Sequence, residues 1–232
     1  MRPPLRVKES ITVQIEDFKN MKPHLIILGA PGSGKGTQAA RLIDKGFKHV
    51  STGDLLRSEI AKGSELGQKV SGIISRGDLV DDKTVMALLK ANCDVDKVSY
   101  IFDGFPRNIA QAEMLEAELL QGRKTLAVYF KIDLSILIAR VVNRRTCSNC
   151  GEIYNLQTKA PKVADVCDKC GSVGTLKQRK DDTEEVVSNR LQIFKDTVDP
   201  MLAFYKSKGV LVEIDASMQE KEVFSALEKV IS

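Results

Sequence analysis

The sequence predicts an α/β protein in which a five-stranded parallel sheet is flanked by helices. Two features predict this class: five short apolar segments rich in branched residues alternate with helix-like segments, and the first is followed at once by a glycine-rich turn. The composition agrees, because 43% of the 232 residues are apolar and 28% are charged, as is ordinary for a globular chain. This composition argues against a fibrous or disordered class.

The five predicted strands are the segments HLIILG, FKHVS, SYIFDG, TLAVYFKID and VLVEID. Continuous apolar runs such as LIIL and YIF are typical of strands that are buried on both faces. Between them, GDLLRSEIAKG and SELGQKVSGIISRG predict two helices that end at Gly63 and Gly77, and DDKTVMALLKANC predicts a third. DLSILIARVVNRR predicts a helix that carries Arg140 and Arg144 on one face, where an anion would relieve their repulsion.

The stretch LGAPGSGKGTQAARL places glycines between the first strand and a helix. Backbone N–H groups of such a loop and the helix N-terminus attract phosphate, and Lys35 adds a mobile charge. Gly29, Gly34 and Lys35 fit the pattern G-x-x-x-x-G-K, although the hydroxyl comes one residue late, at Thr37. The alternative is a glycine-rich turn with an incidental lysine. The strand before the loop and the helix after it favour phosphate binding.

The cysteines predict a metal site. Cys147, Cys150, Cys167 and Cys170 form two C-x-x-C pairs, each followed by glycine, a pattern typical of structural zinc with four thiolate ligands. Disulfides are the alternative, but a chain without a secretion signal meets a reducing cytosol. The surrounding segment has few apolar residues, so the metal would hold its shape. Cys93 is expected to be a partly buried helix residue.

Six arginines fall at element ends or beside glycine and proline, where they could grip phosphates: Arg57, Arg107, Arg140, Arg144, Arg179 and Arg190. The alternative for each is a solvated basic surface. Asp103 ends an apolar strand and could hold Mg²⁺, or simply cap a turn. Asp181 and Asp182 are less distinctive, because Asp182 followed by Glu185 also reads as a helix cap.

Charge and hydropathy exclude other classes. The net charge of +4 is too small to indicate a nucleic-acid surface, and no apolar run reaches the roughly 18 residues of a membrane span. Residues 1–23 lack an apolar signal core and read as an extension of unknown role. A cytoplasmic protein is therefore expected.

The glycine loop GAPGSGKGTQ resembles that of the adenylate kinase family. STGDLLR, GDLV, DGFPRNIAQAE and QRKDDTEEVVSNRL resemble that family's other landmarks, in its order, from about Leu25 to the end of the sequence. The resemblance implies the P-loop nucleoside monophosphate kinase fold with an inserted zinc-knuckle lid. It divides the chain into an extension (1–23), a core (24–51, 81–140 and 178–232), an AMP-binding region (52–80) and a lid (141–177).

The resemblance also implies residue roles. For ATP it implies Gly32, Ser33, Gly34, Lys35, Gly36, Thr37, Arg140, Arg144, Ile153, Tyr154 and Met218. For AMP it implies Thr52, Arg57, Asp78, Leu79, Val80, Gly104, Phe105, Pro106, Arg107, Gln111, Arg179 and Arg190. The implied catalytic set is Lys35, Asp103, Arg107, Arg140, Arg179 and Arg190. For Gln111 the alternative is a capping pair with Asn108.

The implied reaction is MgATP + AMP ⇌ 2 ADP, with Mg²⁺ beside the nucleotide and structural Zn²⁺ in the lid. The expected partners are ATP, AMP and ADP, and a monomer without nucleic-acid or membrane contacts is expected. GTP is an alternative donor, because family members vary at the position of Asn155. A zinc-ribbon nucleic-acid binder and a P-loop hydrolase are further alternatives; an aromatic content of 5% disfavours the former.

Overall fold

The computed structural model describes residues 22–231, so the predicted extension lies almost entirely outside the described residues. In chain order the elements are β1 (His24–Leu28), α1 (Lys35–Leu42), β2 (Lys48–Ser51), α2 (Thr52–Lys62), α3 (Glu65–Arg76), α4 (Asp82–Asn92), β3 (Tyr100–Asp103), α5 (Ile109–Leu115), β4 (Thr125–Lys131), α6 (Leu137–Val142), β5 (Arg144–Cys147), β6 (Ile153–Asn155), β7 (Leu176–Lys177), α7 (Glu184–Ser207), β8 (Leu211–Asp215) and α8 (Glu220–Ile231). A π-helical turn, Glu116–Leu120, continues α5, and a 3₁₀ turn, Leu134–Ile136, precedes α6.

The five predicted strands form one sheet in the order β2-β3-β1-β4-β8, and all neighbours are parallel. This confirms the predicted five-stranded parallel sheet. Strand β1 lies between β3 and β4, and its Ile27 pairs with Asp103 on one side and Val128 on the other. Because the strands run in one direction, their carboxyl ends meet at one edge, where ligands bind in open α/β sheets.

Strand β1 is buried on both faces of the sheet, which explains its unbroken apolar run. Ile26 and Leu28 pack into a cluster that includes residues of α4, α5 and α7. Leu25 and Ile27 pack on the other face with Leu42 of α1 and neighbours from α8. Helices therefore cover both faces, as the fold class requires.

The helices begin and end where local chemistry predicts. The Ser51 hydroxyl accepts a hydrogen bond from Asp54 N at 3.3 Å to cap α2, and the Ser64 hydroxyl accepts one from Gly67 N at 3.0 Å to cap α3. Helices α2 and α3 end at Gly63 (φ 66°) and Gly77 (φ 80°), in the left-handed conformation that glycine adopts readily. Both predicted endpoints are confirmed.

The longest helix, α7, runs back along the sheet after the lid. It buries Val187, Leu191, Val198 and Tyr205 along one side, and its N-cap is Thr183, whose hydroxyl accepts from Val186 N at 3.4 Å. Within residues 22–231, no helix combines the length and apolar character needed to cross a bilayer.

The lid contains a small antiparallel sheet in the order β6-β5-β7, and it corrects one prediction. Helix α6 ends at Val142, and Arg144 lies in β5, so Arg140 and Arg144 do not share a helix face. Pairing of β5 with β6 outweighs the helical periodicity of the sequence. The carbonyl of Arg140 accepts instead from the Asn155 amide at 2.9 Å, and that of Val142 from Arg145 Nη1 at 3.2 Å.

Candidate active site

The glycine loop follows β1 at the carboxyl edge of the sheet. Gly29 (φ 148°), Gly32 (φ 84°) and Gly34 (φ 94°) have backbone conformations that side chains rarely adopt. A Cβ on Gly29 would also lie 3.0 Å from the carbonyl oxygen of Phe130. Helix α1 starts directly after Gly34 with no capping side chain, so its first N–H groups are available to an anion.

The Lys35 ammonium lies against this loop. Its Nζ donates to the carbonyl of Gly29 at 2.6 Å and to that of Ala30 at 2.9 Å. Burial is the main cause that lowers the pKa of Lys35 to about 8; the charge of Asp103 opposes it, and the charges of Arg107 and Arg144 add to it. A negatively charged ligand such as a phosphate would stabilise the charged form of this buried ammonium.

Asp103 ends β3 beside the loop. Burial alone raises the pKa of this carboxyl, but the hydrogen bond from His49 and the charge of Lys35 bring it below its ordinary value. His49 Nε2 lies 3.3 Å from Asp103 Oδ2, a contact that the sequence analysis missed. A Cβ on Gly36 would lie 3.8 Å from the same carboxylate oxygen. The ionised group can thus hold a hard cation next to the loop.

Two carboxylates link three of the predicted arginines. Asp181 accepts from Arg57 Nη1 at 3.4 Å and also pairs with Arg190. Asp54 pairs with Arg57 at 2.5 Å and with Arg179 at 3.3 Å. Asp54 was not among the predicted site residues, and Asp181 was considered only as a less distinctive candidate. The carboxylates of Asp54 and Asp181 neutralise guanidinium charges that bound phosphate groups could neutralise instead.

Positive charge is crowded around these pairs. The pKa of Arg107 is lowered to about 10, mainly by burial and secondly by the charge of Arg190. The pKa of Arg179 is also lowered to about 10, mainly by burial and secondly by the charges of Arg57 and Arg144. Both side chains stay charged at neutral pH, and a bound polyanion would relieve the repulsion that each experiences from its neighbouring arginines.

Arg144 has its own partner. Its Nε donates to the fully buried Asp182 Oδ2 at 2.9 Å. The alternative prediction that Asp182 caps a helix is wrong, because Thr183 is the N-cap of α7. Because the carboxylate of Asp182 is buried, pairing with a guanidinium stabilises it more than a capping hydrogen bond from a backbone N–H would.

A small cavity lies between the sheet edge and helices α2 to α4. Ten of the twelve residues implied for AMP line it, together with Gly53, Leu56, Ile74 and Val85. Those ten are Thr52, Arg57, Asp78, Leu79, Val80, Gly104, Phe105, Arg107, Gln111 and Arg190. The other two, Pro106 and Arg179, line a large cleft that adjoins it.

Gln111 is the uncharged amide of the small cavity, and only 2% of it is exposed. Its Oε1 accepts from Arg107 N at 2.7 Å, and its Nε2 donates to Asp82 Oδ1 at 2.7 Å. Asn108 caps α5 by accepting from Gln111 N at 2.8 Å. The capping contact of Asn108 therefore exists alongside these side-chain contacts rather than in place of them.

The large cleft brings together all the residues implied for ATP. They are Gly32, Ser33, Gly34, Lys35, Gly36, Thr37, Arg140, Arg144, Ile153, Tyr154 and Met218. Ile153 reaches the glycine loop, since a Cβ on Gly36 would lie 3.6 Å from its Cδ1. The side chain of Tyr154 is instead buried in the core of the lid, and its hydroxyl lies 3.4 Å from Cys167 Sγ.

The four predicted metal ligands converge in the lid. The Sγ atoms of Cys147, Cys150, Cys167 and Cys170 all lie within 4.8 Å of one another. The Cys147–Cys170 and Cys150–Cys167 sulfur distances are 3.7 and 3.6 Å. Four thiolates about 2.3 Å from one zinc ion lie about 3.8 Å apart, whereas a disulfide needs about 2.05 Å. The donor set therefore fits a tetrahedral zinc ion.

Neighbouring hydroxyls support these sulfur atoms. Tyr154 Oη accepts from Asp168 N at 2.7 Å, which leaves its proton for Cys167 Sγ. Thr175 Oγ1 lies 3.2 Å from Cys147 Sγ. Hydrogen bonds of this kind orient thiolate ligands and stabilise their charge.

Comparison with known proteins gives one consistent family. The model of the family described as adenylate kinase matches residues 27–210. The chain is 41% identical over 208 residues to the adenylate kinase of Thermodesulfovibrio yellowstonii, covering 88% of this chain and 96% of that protein. It is 40% identical over 214 residues to the adenylate kinase of Archaeoglobus fulgidus, covering 90% and 97%. The chain is 38% identical over 213 residues to the adenylate kinase of Geobacillus sp. strain WCH70, covering 90% of this chain and 98% of that protein.

Proposed function

The chain belongs to the adenylate kinase family, and we propose that its two cavities hold the two nucleotides of the reaction MgATP + AMP ⇌ 2 ADP. It is a nucleoside monophosphate kinase, for which in-line transfer needs no covalent enzyme intermediate. One observation supports this use of the cavities above others: the small cavity and the large cleft have Arg57, Arg107 and Arg190 in common. Two nucleotides would bring their phosphates to these arginines, whereas a hydrolase needs one nucleotide site.

The large cleft binds the donor. The glycine loop and the N-terminus of α1 surround its phosphates, and Lys35 exchanges the carbonyls of Gly29 and Ala30 for phosphate oxygens. Arg140 and Arg144 approach from the lid side of the cleft. Asp103 and Thr37 are suited to hold Mg²⁺, which neutralises charge on the donor phosphates when it is bound.

The small cavity binds AMP. Apolar residues such as Leu56, Ile74, Val80 and Val85 line the space that a purine would fill. Gln111 supplies the polar contact to the edge of the base. Arg57 and Arg107 bind the phosphate and bring its oxygen into line with the donor.

The transferred group carries charge that Arg179 and Arg190 stabilise. Both guanidiniums are held by carboxylates, Arg179 by Asp54 and Arg190 by Asp181. Phosphate oxygens replace those carboxylates as the nucleotides bind. One such arginine can contribute about 10³ to 10⁵ in rate.

The lid keeps water from the transferred group. Lys159 of the lid lies 3.5 Å from Glu220 at the start of α8, and Ile153 reaches the glycine loop. These contacts support a closed position over the large cleft. A zinc ion held by the four cysteines would maintain the shape of the lid and would take no part in the chemistry, because four thiolate ligands leave no position for a substrate. Closure favours transfer to AMP over hydrolysis.

ATP is the proposed donor rather than GTP. Asn155 cannot readily discriminate between the two bases, since its amide nitrogen donates to the Arg140 carbonyl and its Oδ1 accepts from Gln157 N at 2.9 Å. Met218 lines the cleft, and its backbone carbonyl is the proposed acceptor for the amino group of adenine. We further propose a cytoplasmic monomer that binds no nucleic acid and no membrane.

Steady-state ADP formation tests the function. MgATP or MgGTP is supplied with and without AMP, and CMP and UMP replace AMP in parallel reactions. The proposal expects two ADP for each ATP consumed, only when AMP is present, and slower turnover with GTP. ATP hydrolysis that is independent of AMP would contradict it.

A further inference from the structure

We infer that Asp82 determines which purine monophosphate the small cavity accepts, by fixing the orientation of the Gln111 amide. The inference rests on the proposed binding of AMP in this cavity. Asp82 is in the first turn of α4 and is not among the residues that line the cavity. It is a positioning residue, because it acts on the nucleotide only through Gln111.

The partners of Gln111 define its orientation. Arg107 N can only donate, so the atom 2.7 Å from it is an acceptor, Oε1. The carboxylate of Asp82 accepts, so the atom 2.7 Å from it is a donor, Nε2. Exchanging the amide oxygen and nitrogen would place two donors together at Arg107 and two acceptors together at Asp82. Because only 2% of Gln111 is exposed, water does not compensate for either mismatch.

The fixed amide retains one free N–H on Nε2 and one free lone pair on Oε1, since each atom has two hydrogen-bonding positions. Adenine presents an acceptor at N1 and a donor at its 6-amino group, which match these two groups. Hypoxanthine and guanine present a donor at N1 and an acceptor at O6, which match them only after the amide turns over. A glutamine that could turn freely would serve both kinds of purine. Arg107 N and the carboxylate of Asp82 together favour a 6-amino purine, and of these two partners only Asp82 acts through a side chain that a substitution can change.

The neighbouring aspartate provides a matched control. Asp81 is the N-cap of α4 and accepts from Thr84 N at 2.9 Å, with no contact to Gln111 among its hydrogen bonds. Asp81→Asn removes the same charge one residue away, and asparagine is an equally good N-cap. Asp82→Asn replaces the carboxylate by an amide that can face Gln111 as donor or acceptor. Asp82→Glu keeps the acceptor and serves as the conservative variant.

The experiment compares kcat/KM for AMP and for inosine monophosphate at saturating MgATP in the full chain. Asp82→Asn is expected to lower the preference for AMP about tenfold, the value of one buried hydrogen bond, with most of the change in KM. Asp81→Asn is expected to leave the preference unchanged, and Asp82→Glu to restore part of it. Thermal melting of each variant confirms that it folds.

Equal losses of preference in Asp81→Asn and Asp82→Asn would overturn the inference, because they would indicate an effect of charge alone. An unchanged preference in Asp82→Asn with a lowered one in Gln111→Met would overturn the role of Asp82 and leave base recognition by Gln111 intact. An unchanged preference in both would overturn both roles. AMP-dependent ADP formation in the same assays tests the proposed function separately.

Discussion

The buried carboxylate of Asp182 accepts a hydrogen bond from Nε of Arg144 at 2.9 Å. Arg144 begins the first strand of the lid, and Asp182 lies in the segment that returns from the lid to α7. The pair therefore joins the segment that enters the lid to the segment that leaves it, through a charge-assisted hydrogen bond. It also orients a guanidinium that lines the large cleft.

Asp182→Asn is expected to destabilise the protein by about 1 to 3 kcal/mol, because Arg144 loses a desolvated counter-charge. The KM for MgATP should rise as well, since Arg144 is less well oriented. Urea denaturation and steady-state kinetics measure the two effects. Asp196→Asn changes an exposed carboxylate on α7 and should alter neither. Equal stability of the two variants would contradict the importance of the Arg144 contact.

The pH dependence of kcat/KM for MgATP reports on Lys35. Its pKa is about 8 in the free enzyme because the amine is buried, and phosphate binding requires the charged form. The value of kcat/KM should therefore fall as the pH rises through about 8, whereas kcat should persist to higher pH because bound phosphates raise the pKa of the amine. Lys35→Arg should remove the alkaline limb at the cost of a lower rate. A wild-type profile that is flat to about pH 10 would disagree with this account.

Cys147→Ser should abolish stoichiometric zinc binding and lower the Tm by several degrees, because the lid has little apolar core of its own. Affinity for AMP should change less, since the small cavity contains no lid residue. Metal analysis and calorimetry provide the measurements. Cys93→Ser is the control, since Cys93 lies outside the cluster and is partly buried beyond α4. Unchanged metal content and Tm in Cys147→Ser would rule out a zinc-stabilised lid.

Arg179→Met should reduce kcat by about 10³ or more, because this guanidinium is proposed to neutralise charge on the transferred group. The KM values should change less than kcat. Arg123→Met removes an arginine that pairs with Asp96 and does not line the cleft, and it should retain the wild-type kcat. A similar, small effect of both substitutions would mean that Arg179 has no part in transfer.

Local sequence patterns were sufficient for most of the fold and for the metal ligands. HLIILG predicted β1 because a strand buried on both faces has an unbroken apolar run, and Gly63 and Gly77 marked helix ends because of their left-handed backbone. The four cysteines were predictable because ligand spacing within each pair is local.

Local sequence patterns could not predict contacts between residues that lie far apart in the sequence. The Arg57–Asp181 pair joins positions 124 residues apart, and the Gln111–Asp82 contact joins positions 29 apart, so neither leaves a local signal. The predicted extension of α6 to Arg145 was wrong for a related reason. Pairing of Arg145 with Tyr154 across β5 and β6 is a tertiary contact that helical periodicity does not contain.

The most direct test of the central claim follows the transferred group itself. The protein is incubated with MgATP that is radiolabelled on its terminal phosphate, with and without AMP, and the products are separated. Transfer between the two cavities predicts label in the β-phosphate of ADP when AMP is present and almost none in inorganic phosphate. Label released as inorganic phosphate at the same rate with and without AMP would contradict the account.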